Sequence, residues 1–428
     1  MRDIIGMVLA GGRVAELSVL TLARPKAAVP FAGQYRIIDF ALSNLMRAGI
    51  ERVGVLSMYR SSSLIDHLGV GQPWDMMGRG RGLKILPPFT DHASSQWYRG
   101  TADAVHQNLG YVRHHKPRDV MILSGDHIYN MDFRPFIERH RDCNADMTMV
   151  VKSVDTEKGS GRFGFAEVDA DMRVRGYEEK PAKPRSPWAS LTIYLFKTEV
   201  LKARLEENAR TGRSLQLYDE VLPSMVASDK VYAHPLEGYW SYARTVDAYH
   251  EAHMDLLGDE PAISLGDWGV RSRAWMRGLG DQPPCRIEAG GTCKESVVSQ
   301  GVTLAGRVER SVLSPGVVVE AGAIVKDSVL LHDVYVRAGA VLDRVVLDKG
   351  VVVGAGAKLG HGEVLGPNEA LPEALASGLS LVGKRARLPD GAVMGRNCVV
   401  EPKVKEESWP SGGLASGTCL GRCRGGEA

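Results

Sequence analysis

The stretch Ile4-Ile5-Gly6-Met7-Val8-Leu9-Ala10-Gly11-Gly12-Arg13 opens the chain with an apolar run that breaks on two glycines. A short apolar run ahead of a sharp turn reads as a buried β-strand feeding a loop. Two glycines let the backbone approach an anion closely, with N–H groups pointed at it. Gly-Gly alone is more often a plain strand-to-loop turn. Here Arg24 and Lys26 follow on the segment Leu17–Val29 and add positive charge nearby in sequence. Tyr35–Ile50 then reads as a helix: Ile38, Leu42, Leu45 and Met46 share a face, and Gly49 is the stop.

Outward from this start, strand and helix patterns alternate through residue 257 and predict an α/β domain. Val53–Ser57, Val120–Leu123, Ala145–Lys152, Phe163–Val168, Arg173–Glu178 and Thr192–Phe196 read as strands. Ser61–Leu68, Thr101–Arg113, Glu199–Glu207, Ser214–Ala227 and Arg244–Leu257 read as helices, with Thr101 as a cap. Gly78–Gly82 alternates Gly and Arg without P-loop spacing and reads as a solvated loop. Residues 258–285 have no period and read as a linker.

Beyond it the pattern changes to hexads. Val312, Val329 and Val346 recur 17 residues apart, with aliphatic or small residues every six positions and glycine at corners. That repeat predicts a β-helix over 286–402, with Leu381–Pro402 as a weaker last coil. His332 and His361 read as solvated corner residues, which leaves an acyltransferase of this repeat class without a base. Residues 403–428, rich in Gly and Ser, read as a flexible tail.

Composition narrows the classes. Lys and Arg total 53 against 51 Asp and Glu, so the balance argues against nucleic acid or a membrane surface as partner. No apolar run reaches the ~20 residues of a membrane span. No signal-peptide pattern precedes Ile4, and the cysteines at 143, 285, 293, 398, 419 and 423 form no CxxC pair. A reducing, cytoplasmic setting is expected.

Three constellations can carry chemistry. Asp126 follows the strand Val120–Leu123, where open α/β sheets bind ligands, and a carboxylate there can hold Mg²⁺ against a triphosphate. An Asp after a strand also commonly forms an Asx-turn or helix cap. Trp97-Tyr98-Arg99-Gly100-Thr101 sets two aromatics and an arginine before a helix start, a platform for a base and an anion, or else simple core packing. Glu178-Glu179-Lys180-Pro181 is either a solvated charge run or a phosphate contact through Lys180.

The words LAGG at 9–12, LTxxRxKxAVPFxGxYRIIDFxLSN at 20–44, WYRGTADA at 97–104, GDHIY at 125–129, EKP at 179–181 and ASLTIY at 189–194 resemble glucose-1-phosphate adenylyltransferases. The resemblance covers about residues 4–360. It implies a Rossmann-like, GT-A-type nucleotidyltransferase domain followed by a left-handed parallel β-helix. It implies AMP transfer from ATP to glucose 1-phosphate, giving ADP-glucose and pyrophosphate. By carry-over, Lys26 and Asp126 are catalytic, and Asp126 is a ligand of Mg²⁺. Gly11, Gly12, Trp97, Tyr98, Gly100 and Thr101 would bind nucleotide. Tyr98, Glu179, Lys180 and Ser190 would bind the sugar phosphate. The assembly would be a homotetramer, or a heterotetramer with a paralogous subunit.

The chain departs from the family pattern at several of these words. GGxGTRL becomes Gly11-Gly12-Arg13-Val14-Ala15-Glu16-Leu17, so Glu16 stands where the family has arginine. Thr192 replaces a glycine. RDVGT becomes Ser241-Tyr242-Ala243-Arg244-Thr245, so Tyr242 replaces the second metal ligand and Arg244 a glycine. A phenol with a pKa of ~10 is a poor Mg²⁺ ligand, and Glu16 places negative charge where a triphosphate wants positive. Weak turnover by the isolated chain is the expectation. The alternative is a regulatory or sugar-phosphate-binding subunit that has lost catalysis.

Overall fold

The computed structural model describes residues 1–428 apart from 89, 92, 93, 96, 212, 274–281, 365 and 422–428. The chain forms two compact units. The first comprises Met1–Gly12, Ile38–Ser61 and Leu68–Trp240; the second comprises Arg13–Ile37, Ser62–His67 and Ser241–Ala428.

The first unit is built on a nine-stranded mixed sheet: β1 Ile4–Leu9, β2 Arg52–Leu56, β3 Gly82–Leu86, β4 Asp119–Ser124, β5 Met147–Ser153, β6 Gly164–Val168, β7 Val174–Glu179, β8 Trp188–Lys197 and β9 Val231–Pro235. Its path runs β7-β6-β8-β4-β1-β2-β3, with β5 pairing β8 and β9. β1 lies between β2 and β4, parallel to both, which is why Ile4, Ile5, Met7 and Val8 are all buried. The antiparallel pairing of β8 with β4 makes the sheet mixed. The helix expected over 35–50 spans Ile38–Arg47, because Tyr35–Arg36 instead pairs with Pro30–Phe31 in a small hairpin. The helix expected over 101–113 breaks at Asn108 into Thr101–Gln107 and Leu109–His115. The helix expected over 214–227 is a π-type turn, Leu217–Val221, running into Leu222–Ser228.

In the second unit the hexads fold as the left-handed parallel β-helix. Three parallel sheets of six, six and seven strands enclose a core that includes Val319, Val325, Leu330, Val336, Leu342 and Leu347. The 17-residue spacing is the strand register: Val312 pairs with Val329, and Val329 with Val346. One corner is tied by a serine ladder, in which Ser311 Oγ accepts from the Ser328 amide and Ser328 Oγ from the Val345 amide. After Val346 the register partner is Leu381, because the intervening chain makes an excursion before the coil resumes.

Two expectations about this unit need correction. Residues 403–421 are not a loose tail, since Cys419–Leu420 pairs with Val399–Val400 and closes one more coil. Residues 422–428, and 274–281 of the expected linker, lie outside the described residues. His332 is not solvated. It is buried, and burial followed by the charges of Lys349, Arg36, Arg24 and His67 holds its pKa well below the usual histidine range. His361 is exposed.

Residues 13–37 cluster with the second unit for identifiable reasons. Arg24 and Asp348 form a buried ion pair. Tyr249 OH donates to the Pro30 carbonyl, and the Ala32 amide donates to His253 Nε2 at 3.2 Å. Gly33 has a φ of +82° and sits so close to Ser299 that a Cβ would lie 2.2 Å from its Oγ, so only glycine fits.

Candidate active site

In the first unit the Gly-Gly turn and Asp126 follow neighbouring strands. Leu9 at the end of β1 pairs with Ser124 at the end of β4, so Gly11 and Asp126 each lie two residues past one rung of the ladder. This is the carboxyl edge of the parallel part of the sheet, the usual ligand edge of such folds. The Gly125 amide donates to the Leu9 carbonyl and fixes the two loops together. Gly12 is exposed, with nothing within 4 Å of where a Cβ would stand.

Asp126 is oriented by its neighbours. Its Oδ1 accepts from Ser124 Oγ and lies 3.4 Å from His127 Nε2. Trp240 Nε1–H donates to His127 Nδ1 at 3.3 Å, so a neutral His127 carries its proton on Nε2, facing the carboxylate. Among the described residues no three His, Cys, Asp or Glu side chains gather into a protein-only metal cage. One oriented carboxylate still fits Mg²⁺, which is commonly held by one or two carboxylates with substrate phosphates and waters.

The WYRGTADA segment is arranged differently from the expectation. Trp97 is 68% exposed, an open aromatic face. The Tyr98 hydroxyl donates to the Leu86 carbonyl and accepts from Asn108, so it ties the end of β3 to the helix. Burial raises its pKa to about 12, the Asn108 bond opposing. The cap is Gly100 rather than Thr101. A Cβ at Gly100 would meet the Leu215 carbonyl oxygen at 2.2 Å. That close approach brings Leu215 and Gln216 over the helix start. The Thr101 amide donates to Gln216 Oε1, and those of Ala102 and Asp103 to the Leu215 carbonyl. The expected anion site at this helix start is therefore already filled by protein acceptors.

Of the four sugar-phosphate candidates, Glu179, Lys180 and Ser190 come together around β7 and β8, whereas Tyr98, bonded to the end of β3, lies at the opposite end of the sheet and does not join them. Glu179 ends β7, and its Oε2 accepts from Tyr177 OH at 2.8 Å. Burial raises the Glu179 pKa, against the Tyr177 bond and the Lys180 charge. Lys180 is exposed, with Nζ 5.8 Å from the centre of the Tyr218 ring. Ser190 Oγ is 3.2 Å from Tyr194 OH. Sequence reasoning found the glutamate, lysine and serine but missed Tyr177, Tyr194 and Tyr218. The alternation in β7 and β8 was the available signal, since Tyr177 and Glu179 are two residues apart and share a face.

In the second unit Lys26 is buried, and its Nζ donates to the Tyr242 carbonyl while standing 4.2 Å from the centre of the Tyr242 ring. Glu16 is not the bare negative charge expected. Arg244 Nε donates to Glu16 Oε1 at 2.9 Å, and Arg244 Nη1 to Tyr242 OH at 3.2 Å. Burial alone would raise the Glu16 pKa. Its own backbone bond, Arg244 and Lys26 outweigh that and hold the carboxyl below its usual range.

Comparison with known proteins agrees with this layout. Residues 5–259 match the Nucleotidyl transferase family and residues 285–367 the GlmU-like C-terminal hexapeptide family. A glucose-1-phosphate adenylyltransferase of Thermomicrobium roseum is 43% identical over 97% of both chains. The chain belongs to the glucose-1-phosphate adenylyltransferase family. Family members of the same name from Thermotoga maritima (43% identity, 97% of this chain and 98% of the relative) and Acetivibrio thermocellus (36%, 100% and 99%) match equally completely. The chain is thus a nucleotidyltransferase by family, of a class that works with a divalent metal. No helix among the described residues is long and apolar enough to cross a membrane.

Proposed function

We propose that the chain transfers AMP from ATP to glucose 1-phosphate, releasing pyrophosphate and forming ADP-glucose, with Mg²⁺ as the metal. The observation that carries this is Asp126, oriented by Ser124 and His127 one ladder rung from the Gly11-Gly12 turn, in a chain related end to end to adenylyltransferases. Bound Mg²⁺ would neutralise charge on the triphosphate, with Asp126 as its protein ligand. Gly11 and Gly12 offer backbone N–H groups to the phosphates, and Trp97 offers an exposed face for the base. Tyr98, Gly100 and Thr101 shape that side rather than present free donors. Lys26 brings a positive charge to the reacting phosphates. Lys180 holds the sugar phosphate, while Glu179 and Ser190 bond the sugar hydroxyls.

The chemistry asked of the protein is positioning and charge neutralisation. The sugar phosphate is already an anion. Its oxygen bonds the α-phosphorus of ATP as the bond to the β-phosphate oxygen breaks, and pyrophosphate leaves with that electron pair. No strong base is required.

The same reading includes a cytoplasmic enzyme assembled as a tetramer, of this chain alone or with a paralogue. Ile324 and Val341, partners on one outer face of the β-helix, are 39% and 37% exposed and favour burial against another subunit. Pyrophosphate release from ATP, glucose 1-phosphate and Mg²⁺ tests the reaction, and light scattering tests the assembly. A chain that releases no pyrophosphate, alone or with a paralogue, sinks the first; a monomer in both preparations sinks the second.

A further inference from the structure

The group formed by Glu16, Lys26, Tyr242 and Arg244 has more in it than the reaction above uses. Arg244 directly precedes Thr245, whose side chain caps the helix Val246–Met254, so its backbone is anchored. Its guanidinium gives Nε–H to Glu16 and one Nη1–H to Tyr242 OH. Among the described residues its Nη2 has no protein acceptor. Side chains of Arg244 and Glu16 are 37% and 36% exposed, so the pair is open to solvent on one side. A half-exposed pair of this kind is weak and can be opened by a stronger anion. In sequence Glu16 stands four positions after Gly12.

The two positions also differ from the family pattern together. An arginine is missing at 16 and an arginine is added at 244, and the new guanidinium reaches back to within a hydrogen bond of the residue-16 side chain. We propose that Arg244 is the cation that binds the triphosphate of ATP in this chain, with Glu16 as an internal counter-ion that holds it in place until nucleotide arrives. The inference rests on the adenylyltransferase reading and names the residue that supplies its missing charge. Arginine suits the role because its planar fork gives paired hydrogen bonds to phosphate oxygens. Glu16 then has a cost: its carboxylate must turn aside for the phosphates, so the parent binds ATP less tightly than a neutral residue 16 would allow.

The test compares the full-length parent with Arg244→Gln, Glu16→Gln and the exchange Glu16→Arg with Arg244→Gly. Mg·ATP affinity is read by calorimetry, and KM for each substrate by pyrophosphate release. Arg244→Gln should weaken ATP binding at least tenfold and raise its KM likewise, with the KM of glucose 1-phosphate within twofold. Glu16→Gln should bind ATP as tightly as the parent or tighter. The exchange should restore ATP affinity to within about threefold of the parent. Unchanged ATP binding in Arg244→Gln overturns the proposal. So does an equal loss for both substrates with a lowered melting temperature, which marks Arg244 as a structural clasp. If Arg244→Gln does not fold, the exchange decides: ATP affinity near the parent supports the proposal, and a tenfold loss overturns it. The reaction reading fails separately, when the parent binds ATP through Arg244 but releases no pyrophosphate.

Discussion

Thr192 is held in a backbone conformation that its side chain opposes. It has a φ of +53°, in the left-handed region, although it lies within the strand Trp188–Lys197. The cause is a bulge: the ladder advances from Met149 to Val151 on one strand while the other advances from Tyr194 to Ser190. The extra residues are accommodated by turning the chain at Thr192. For an L-residue with a Cβ this conformation costs ~1–2 kcal/mol. Glycine escapes the cost, but in an ordinary strand it is worse than alanine by ~0.5–1 kcal/mol. Thr192→Gly should therefore be more stable than Thr192→Ala by about 1 kcal/mol, the reverse of the usual order. Comparing the two variants with each other removes the shared loss of the threonine hydroxyl. Urea unfolding and thermal melts measure the difference. In a unit of 150–250 residues it corresponds to ~2–4 °C. If Thr192→Ala equals or exceeds Thr192→Gly, the bulge does not impose the left-handed turn and the reasoning fails. The bulge separates Ser190 from Tyr194, so the strain is stored at the sugar-binding candidates themselves.

Lys180→Ala should weaken glucose 1-phosphate binding by at least ~10-fold, the worth of a hydrogen bond to a charged group, with little change in melting temperature because Lys180 is exposed; equal affinity would leave it a surface charge. Asp348→Asn should destabilise the chain by ~3–5 kcal/mol, since it leaves the Arg24 guanidinium buried without its carboxylate; an unfolding free energy within ~1 kcal/mol of the parent would refute that, while Arg24→Met with Asp348→Leu should recover much of the loss. His253 is fully buried and neutral, its Nδ1–H donating to the Tyr249 carbonyl and its Nε2 accepting from Ala32, and burial pushes its pKa down to about 3. A depressed histidine pKa contributes stability that is complete above ~6.5 and is lost as pH falls toward the folded value. His253→Gln should flatten unfolding free energy against pH by ~1.4 kcal/mol per unit between pH 6 and 4, and an unchanged slope would assign the acid sensitivity elsewhere.

What the sequence made legible follows from the range of the interactions involved. The β-helix was readable because each coil repeats the previous one, so Val312, Val329 and Val346 are both a spacing and a register. The helix Phe133–Asp142 went unread: Arg134, Glu138, Arg139 and Arg141 crowd it with charge, and the apolar stripe is only Phe133, Phe136 and Ile137. Short linear words marked Asp126, Glu179, Lys180 and Ser190. The partners that set their state lie elsewhere in the chain, as Trp240 does for His127, 113 positions away. The start of the helix at Thr101 looked like an anion site until Leu215 and Gln216, again distant in sequence, took its N–H groups.

The same range problem explains why the nucleotide-side substitutions looked like losses when taken one at a time. Glu16 alone places a negative charge beside phosphates, and like charges at short range in a poorly solvated site repel strongly. Arg244 lies 228 positions away and cancels it through a 2.9 Å bond. Counted as a set, the family pattern has arginine at 16, aspartate at 242, glycine at 244 and lysine at 26, which leaves one net positive charge. This chain has glutamate, a neutral tyrosine, arginine and lysine at those positions, and also keeps one net positive charge. Tyr242 fits the exchange: without a carboxylate there, Lys26 rests against the phenol ring and the Tyr242 carbonyl instead of being neutralised by residue 242. Across these four positions the departures move charge without changing its sum, while the family's arginine at 241 is Ser241 here, which removes one positive charge. It follows that Glu16→Arg alone should not repair the site. It would set two guanidiniums within a hydrogen bond of each other and raise the local charge by two. That single change should lower stability and disturb ATP binding, whereas adding Arg244→Gly should correct both. If Glu16→Arg alone is as stable as the parent and binds ATP more tightly than the paired exchange, residues 16 and 244 act independently and the charge-exchange argument fails.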